Sequence, residues 1–215
     1  MSKSNYISLI AELSEFEGVF TTAQAARLGI PRDALHDASE AGRIERIMRG
    51  AYRLVGSGST QTDELIAIWK LTAPSKFAHE RMQPSTWDGI AIGGSTAASF
   101  SGIGDFYLSP YRIYTPKRFN SRSEVANFAI RRIAQEDVSF ENGFPITRAE
   151  RTIFDLVIDN EDPSLVANTL QDACHIGKRF DFEKLKSLFI GQYGREKGLS
   201  VFEVLLENAE TSEEV

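Results

Sequence analysis

The chain holds one cysteine, Cys174, among 215 residues, so no internal disulfide framework exists. Its three histidines, His36, His79 and His175, are also few and scattered. Cys174 and His175 adjoin, but a metal site needs more ligands at suitable spacing, so no metal is expected. No apolar run is long enough to span a bilayer, and the short stretch Ile66–Leu71 is broken by Lys70. The first twenty residues hold three glutamates and lack the plan of a secretory signal. Surplus positive charge is missing too, since the net charge is −6. These absences set aside disulfide scaffolds, zinc modules, membrane proteins and uniformly basic nucleic-acid binders. The expectation is a cytoplasmic protein without cofactor that is not an enzyme.

What is present begins with residues 20–54. Thr21 or Thr22 suits a helix N-cap, where a hydroxyl accepts an orphan backbone N–H. With Thr21 as the cap, Gln24 stands three residues on and completes the spacing of a capping box. Ala23, Ala25, Ala26 and Leu28 let this short helix pack closely, and Gly29 stops it. Pro31 suits the first turn of a second helix. Ala34, Leu35, Ala38 and Ala41 then form one apolar stripe, and Gly42 ends it. Two short helices joined by a glycine-containing turn outline a helix-turn-helix, whose second helix enters the major groove of DNA. Arg32 and His36 are the expected base readers, helped by Thr22 and Gln24. Asp33, Asp37 and Glu40 share the polar side of this helix; they either accept from cytosine amino groups or are solvated, and solvation is preferred.

Past Gly42 the pattern changes to a strand, a turn at Gly50 and a second strand, Ala51–Val55. Residues 43–53 carry Arg43, Arg46, Arg49 and Arg53 against Glu45 alone, a net charge of +3. Such a basic hairpin wing neutralises phosphates without reading sequence. Arg27 is expected to join these four in anchoring the backbone. Upstream, Tyr6, Leu9, Ile10, Leu13 and Phe16 recur at helical spacing and supply a supporting helix.

Charge is distributed unevenly. Residues 1–56 are neutral, with seven basic and seven acidic side chains, whereas residues 133–215 have a net charge of −9. Between them, Arg112, Lys117, Arg118, Arg122, Arg131 and Arg132 face Glu124 alone over residues 112–132. Of these, Arg112, Lys117, Arg118, Arg131 and Arg132 form a candidate second surface for nucleic acid or a protein partner. The Gly56–Thr60 segment reads as a polar joint, dividing a winged helix-turn-helix over 1–58 from a C-terminal domain over 59–215. That second part mixes strands near 90–92, 111–114 and 128–130 with helices over 63–71, 97–101, 163–175, 182–190 and 199–208. Another helix is expected near Thr147, with Glu150 at the capping-box position. The fold class is therefore α+β, with a helical end.

Three polar clusters are read as structural. Gly93-Gly94-Ser95-Thr96 follows a strand and opens a helix, a geometry that can cradle phosphate. It lacks the lysine of a P-loop, so a cap by Ser95 or Thr96 is preferred. Asp181, Glu183, Lys184 and Lys186 contain the residue types of a metal nuclease, but a charged helix start explains them. Arg148, Glu150 and Arg151 read as surface pairs of small energetic weight.

The chain resembles the AbiEi family of antitoxins from type IV toxin–antitoxin and abortive-infection systems. The likeness rests on Phe20–Leu54, on Ile92-Gly-Gly-Ser-Thr-Ala-Ala-Ser-Phe-Ser-Gly-Ile-Gly-Asp105, and on Phe144-Pro-Ile-Thr-Arg-Ala-Glu-Arg-Thr-Ile-Phe-Asp-Leu156. The third is similar to the family pattern Pro-x-Thr-x-x-Glu-Arg-Thr-x-x-Asp-Leu. The resemblance implies an N-terminal domain that binds and represses its own promoter at inverted or direct repeats. It also implies a C-terminal domain that counteracts a nucleotidyltransferase toxin of the same operon, with or without a stable complex. Two other readings stay open: a plain winged-helix repressor, and a protein-interaction module.

Overall fold

The structure is a computed structural model that describes residues 3–57, 61–121, 123–176 and 180–212. Gly58, Ser59 and Thr60 of the expected joint, and Arg122 of the basic stretch, lie outside them. The chain forms two compact units, residues 1–88 and 89–215, and the fold is α+β.

The first unit runs α1 (Lys3–Glu17), β1 (Phe20–Thr21), α2 (Thr22–Arg27), α3 (Arg32–Glu40), β2 (Ile44–Met48), β3 (Ala51–Leu54) and α4 (Asp63–Leu71). Its antiparallel sheet has the order β1-β3-β2, with Phe20 opposite Tyr52 and Ile44 opposite Leu54. A register shift between Arg46 and Met48 precedes the turn at Gly50, whose φ of +90° favours glycine. The capping box forms: the Gln24 N–H donates to the Thr21 hydroxyl at 3.1 Å, and the Thr21 N–H donates to Gln24 Oε1 at 2.8 Å. Pro31 stands at the N-cap of α3, one place before its first turn.

Ile10, Leu13, Phe20, Ala25, Ile30, Leu35, Ala38 and Ile44 build the core beneath α1, α2 and α3. Phe16 is not part of it, because it lies 84% exposed on the other flank of α1. The buried neighbour is Ser14, whose hydroxyl accepts from the Leu54 N–H and donates to the Gly18 carbonyl. Helix α4 packs on β1, β2 and β3 and buries Leu65, Ala67, Ile68 and Trp69. The first unit therefore extends past the Gly56–Thr60 joint to Asp88. The apolar face of α4 needs this sheet to leave water, a demand that the composition of the joint does not register.

The second unit contains β4 (Ala91–Ile92), α5 (Gly94–Ser101), β5 (Tyr111–Thr115), β6 (Ala126–Ile130), β7 (Val138–Ser139), β8 (Ile146–Thr147), α6 (Ala149–Ile158), α7 (Pro163–His175), α8 (Phe182–Tyr193) and α9 (Arg195–Ser212). The strand order is β6-β5-β4-β8-β7, with β4/β8 and β5/β6 parallel and the other pairs antiparallel. Helices α5 to α9 bury Ala98, Ile153, Leu156, Val166, Leu170, Leu185, Phe189 and Phe202 in one core. Gly198 lets α9 approach α8, since a Cβ there would lie 2.6 Å from the Ile190 Cα.

Two expected caps are not made. Arg148 is the N-cap of α6 without a side-chain bond, because Thr147 is held in β8. The Thr147 hydroxyl instead meets that of Thr152 at 2.7 Å. Gly93, not Ser95 or Thr96, is the N-cap of α5. Thr96 is buried, with its hydroxyl donating to the Leu108 carbonyl and accepting from the Arg112 N–H.

Candidate nucleic-acid interface

Helix α3 exposes two different flanks. Leu35 and Ala38 point into the core, while Arg32 and His36, one turn apart, project together into solvent. Asp33 and Asp37 lie roughly a quarter turn round the helix from Arg32 and His36, at 100° per residue, whereas Glu40 stands one turn beyond His36. These acids, together with Arg43, line a groove against Tyr6, Ile7 and Ile10 of α1. Glu40 is thus the acid nearest in angle to the expected base readers.

Arg43 is exposed just before β2, and Arg46 and Arg49 are exposed on β2 and the turn after it. Arg46 Nε donates to the Met48 carbonyl at 3.4 Å, a weak restraint. The Thr22 N–H donates to the Gly50 carbonyl at 2.9 Å, which ties the start of α2 to the wing turn. Thr22 is half-buried and its hydroxyl lies 3.5 Å from the same carbonyl, so it positions the wing.

Three of the expected DNA contacts are corrected. Arg53 is 11% exposed and opposite Glu45 in the β2/β3 register. It donates to Glu45 at 2.7 Å and lies 3.5 Å from Asp63, so internal acids neutralise its charge. Gln24 is fully buried; its amide donates to Glu17 at 2.9 Å and to the Lys76 carbonyl at 2.8 Å. Arg27 is at the surface but engaged. Its guanidinium lies over the Phe77 ring, donates to the Ser75 carbonyl and bonds Glu80 at 2.6 Å. The Arg27 hydrogen bond, aided by the Phe77 N–H, pulls the Glu80 carboxyl down to about 2.

Beneath α1 and α2 lies a buried ion pair that the sequence reading missed. Lys70 Nζ donates to the Glu17 carboxylate at 2.6 Å and to the Glu17 carbonyl at 2.7 Å. Burial lowers the Lys70 pKa, and the Glu17 charge offsets part of that effect. The Ala78 N–H donates to the same carboxylate, so α1, α2, α4 and the 76–80 segment share one polar node.

The candidate second surface is divided. Arg112 donates to Asp159 at 3.0 Å, and Arg131 bonds Asp159 at 2.7 Å and lies 2.9 Å from Asp155. Burial lowers the Arg131 pKa, but Tyr114, Asp155 and Asp159 outweigh it and raise the value. These two arginines hold the unit together, while Lys117, Arg118 and Arg132 are exposed. Arg151, expected at the surface, is buried between Asp155 at 3.0 Å and Asp137 at 3.7 Å. Opposite charges alternate from Lys184 through Asp137, Arg151, Asp155, Arg131 and Asp159 to Arg112. The Thr-x-x-Glu-Arg-Thr-x-x-Asp pattern is thereby a packing motif: Thr147 meets Thr152, and Arg151 meets Asp155.

The remaining clusters are also structural. A Cβ on Gly93 would lie 1.9 Å from the Tyr114 ring, so that glycine accommodates an aromatic side chain. Asp181 caps α8 by accepting from the Lys184 N–H at 2.9 Å, and Lys186 pairs with Glu183. Cys174 is exposed, and the described residues contain no grouping of His, Cys, Asp and Glu that could hold a metal. No helix among them is long and apolar enough to cross a membrane.

A supporting helix, a short strand, two helices around a tight turn and a β-hairpin, in this order, define a winged helix-turn-helix. Residues 8–55 match the family model described as "Transcriptional regulator, AbiEi antitoxin", a span from α1 to just past β3. The fold of the chain is similar to that of the Rv2827c protein from Mycobacterium tuberculosis. That likeness has a TM-score of 0.56 at 15% identity, covering 95% of this chain and 81% of that one. A comparison with curated proteins finds no match.

Proposed function

We propose that this chain is a cytoplasmic regulator that binds its own promoter and represses its operon. Arg43, Arg46 and Arg49 anchor the wing to phosphates, and Arg32 and His36 read bases in the major groove. The observation that carries this reading is the set of exposed cations on α3 and the wing of the first unit. Arg32 and His36 are exposed one turn apart on α3, and Arg46 and Arg49 are exposed on the wing, while the acids of α3 line a groove toward α1 that Arg43 shares. Arginine pairs bidentately with guanine, and each good pair contributes about 1–3 kcal/mol of discrimination.

Residues 89–215 act as the antitoxin half against a nucleotidyltransferase toxin encoded alongside. The family match and the resemblance support that role. Because the match ends at residue 55, a repressor without antitoxin activity is the second reading. A gel-shift titration on the upstream DNA tests the first role: Arg32→Ala relaxes sequence preference. Weakened affinity with unchanged specificity would contradict the base-reading assignment. Co-expression with the neighbouring gene tests the second role: the chain relieves growth arrest if it is an antitoxin, and does not if it is only a repressor.

A further inference from the structure

Strand edges expose unpaired backbone groups, and proteins blunt them with charge, bulges or short length. Three edges in this chain are blunted. β1 and β7 have two residues each, and β2 carries Glu45, Arg46 and a register shift. The fourth edge, β6, has none of these devices within its own five residues. It reads Ala-Asn-Phe-Ala-Ile over residues 126–130, without charge, proline or shift in its pairing with β5. Ile130 is 65% exposed.

The ladder fixes which groups face outward. The Tyr111 N–H donates to the Val125 carbonyl, and the Arg131 N–H donates to the Thr115 carbonyl. Odd-numbered residues of this segment therefore bond β5. The N–H and C=O groups of Ala126, Phe128 and Ile130 point away from it. Phe128 packs against Phe119, with ring centroids 4.7 Å apart.

The geometry points to a second copy of this chain as the occupant of this edge. Two β6 strands pair antiparallel about a two-fold axis at Phe128. That register sets Ala126 opposite Ile130 and uses only outward-facing groups. It also sets Glu124 of each copy opposite Arg132 of the other. Both residues are exposed and of opposite sign, so the edge is complementary to itself in backbone and in charge.

Sedimentation equilibrium of the full chain across the micromolar range tests this pairing. A monomer–dimer equilibrium is expected. Ile130→Pro abolishes the dimer, because its N–H is not used by β5 and a proline blocks only the outer edge. Glu124→Arg and Arg132→Glu each weaken the dimer about ten-fold, and the double variant restores it. The charge variants lie outside the strand and keep the test informative if Ile130→Pro fails to fold. A monomer at every concentration overturns the proposal. So does a dimer indifferent to Ile130→Pro, or a double variant as weak as the single ones.

Discussion

Salt dependence distinguishes the arginines that face solvent from the one that is already neutralised. Each phosphate neutralised contributes about −0.9 to the slope of log affinity against log salt. Arg43, Arg46 and Arg49 are exposed, so the wing alone supplies a slope of about −2.7. A four-fold rise in salt then weakens binding about 40-fold through the wing. Arg46→Ala with Arg49→Ala leaves about −0.9 from Arg43, and the same rise weakens the wing's share only about 3- to 4-fold. Arg53→Ala behaves differently. Its charge is spent on Glu45 and Asp63, so the slope is unchanged while the hairpin loses an internal tie. Fluorescence-anisotropy titrations on the upstream DNA at several salt concentrations measure all three slopes. An unchanged slope in the double variant, or a flattening by Arg53→Ala equal to that of a single wing variant, would refute the reasoning.

Replacing Glu80 tests the tie between α2 and the 75–80 segment. Its carboxyl is held at about 2, below the ordinary value of 4.5, so its stabilising effect is complete above that value and fades as pH falls toward about 2. Glu80→Gln should flatten this part of the acid-side loss of thermal stability; an unaltered profile contradicts the role of Arg27. Lys70→Met strands the Glu17 carboxylate in the interior and is expected to destabilise by about 3–5 kcal/mol in urea unfolding. A loss under about 1 kcal/mol would mean that the pair is open to water. Gly93→Ala drives a methyl group into the Tyr114 ring and should destabilise by about 1–3 kcal/mol, read by thermal melting. A neutral outcome would show that β4 and α5 shift freely there.

Local spacing made much of the first unit legible. Thr21 and Gln24, Gly29 and Gly42 each act within a few residues of themselves, and each does what its type dictates. The same capping-box spacing at Thr147 and Glu150 had no such outcome, since β8 claims Thr147 and Glu150 accepts from the Asp181 N–H. The Thr-to-Gln/Glu spacing is the same in the two places, but the tertiary neighbours differ. The misplaced DNA contacts have two causes. Arg27, Gln24 and Arg53 meet Glu80, Lys76 and Asp63, all beyond the apparent joint, where a short-range reading has no access, while Gln24 and Arg53 also meet Glu17 and Glu45 before it. Arg32, His36, Arg43, Arg46 and Arg49 are exposed.

The polar node around Glu17 bears on where the first unit can be cut. A fragment ending at residue 58 keeps Glu17 and Gln24 but discards Lys70, Lys76 and Ala78, which satisfy them. It also uncovers Val19 and Ala51, which pack against Ala67 of α4. Such a fragment would carry a carboxylate stripped of its ammonium partner and an open apolar face. The portable DNA-binding piece therefore ends near residue 88. The stretch that the family model recognises is shorter than the body that keeps it folded.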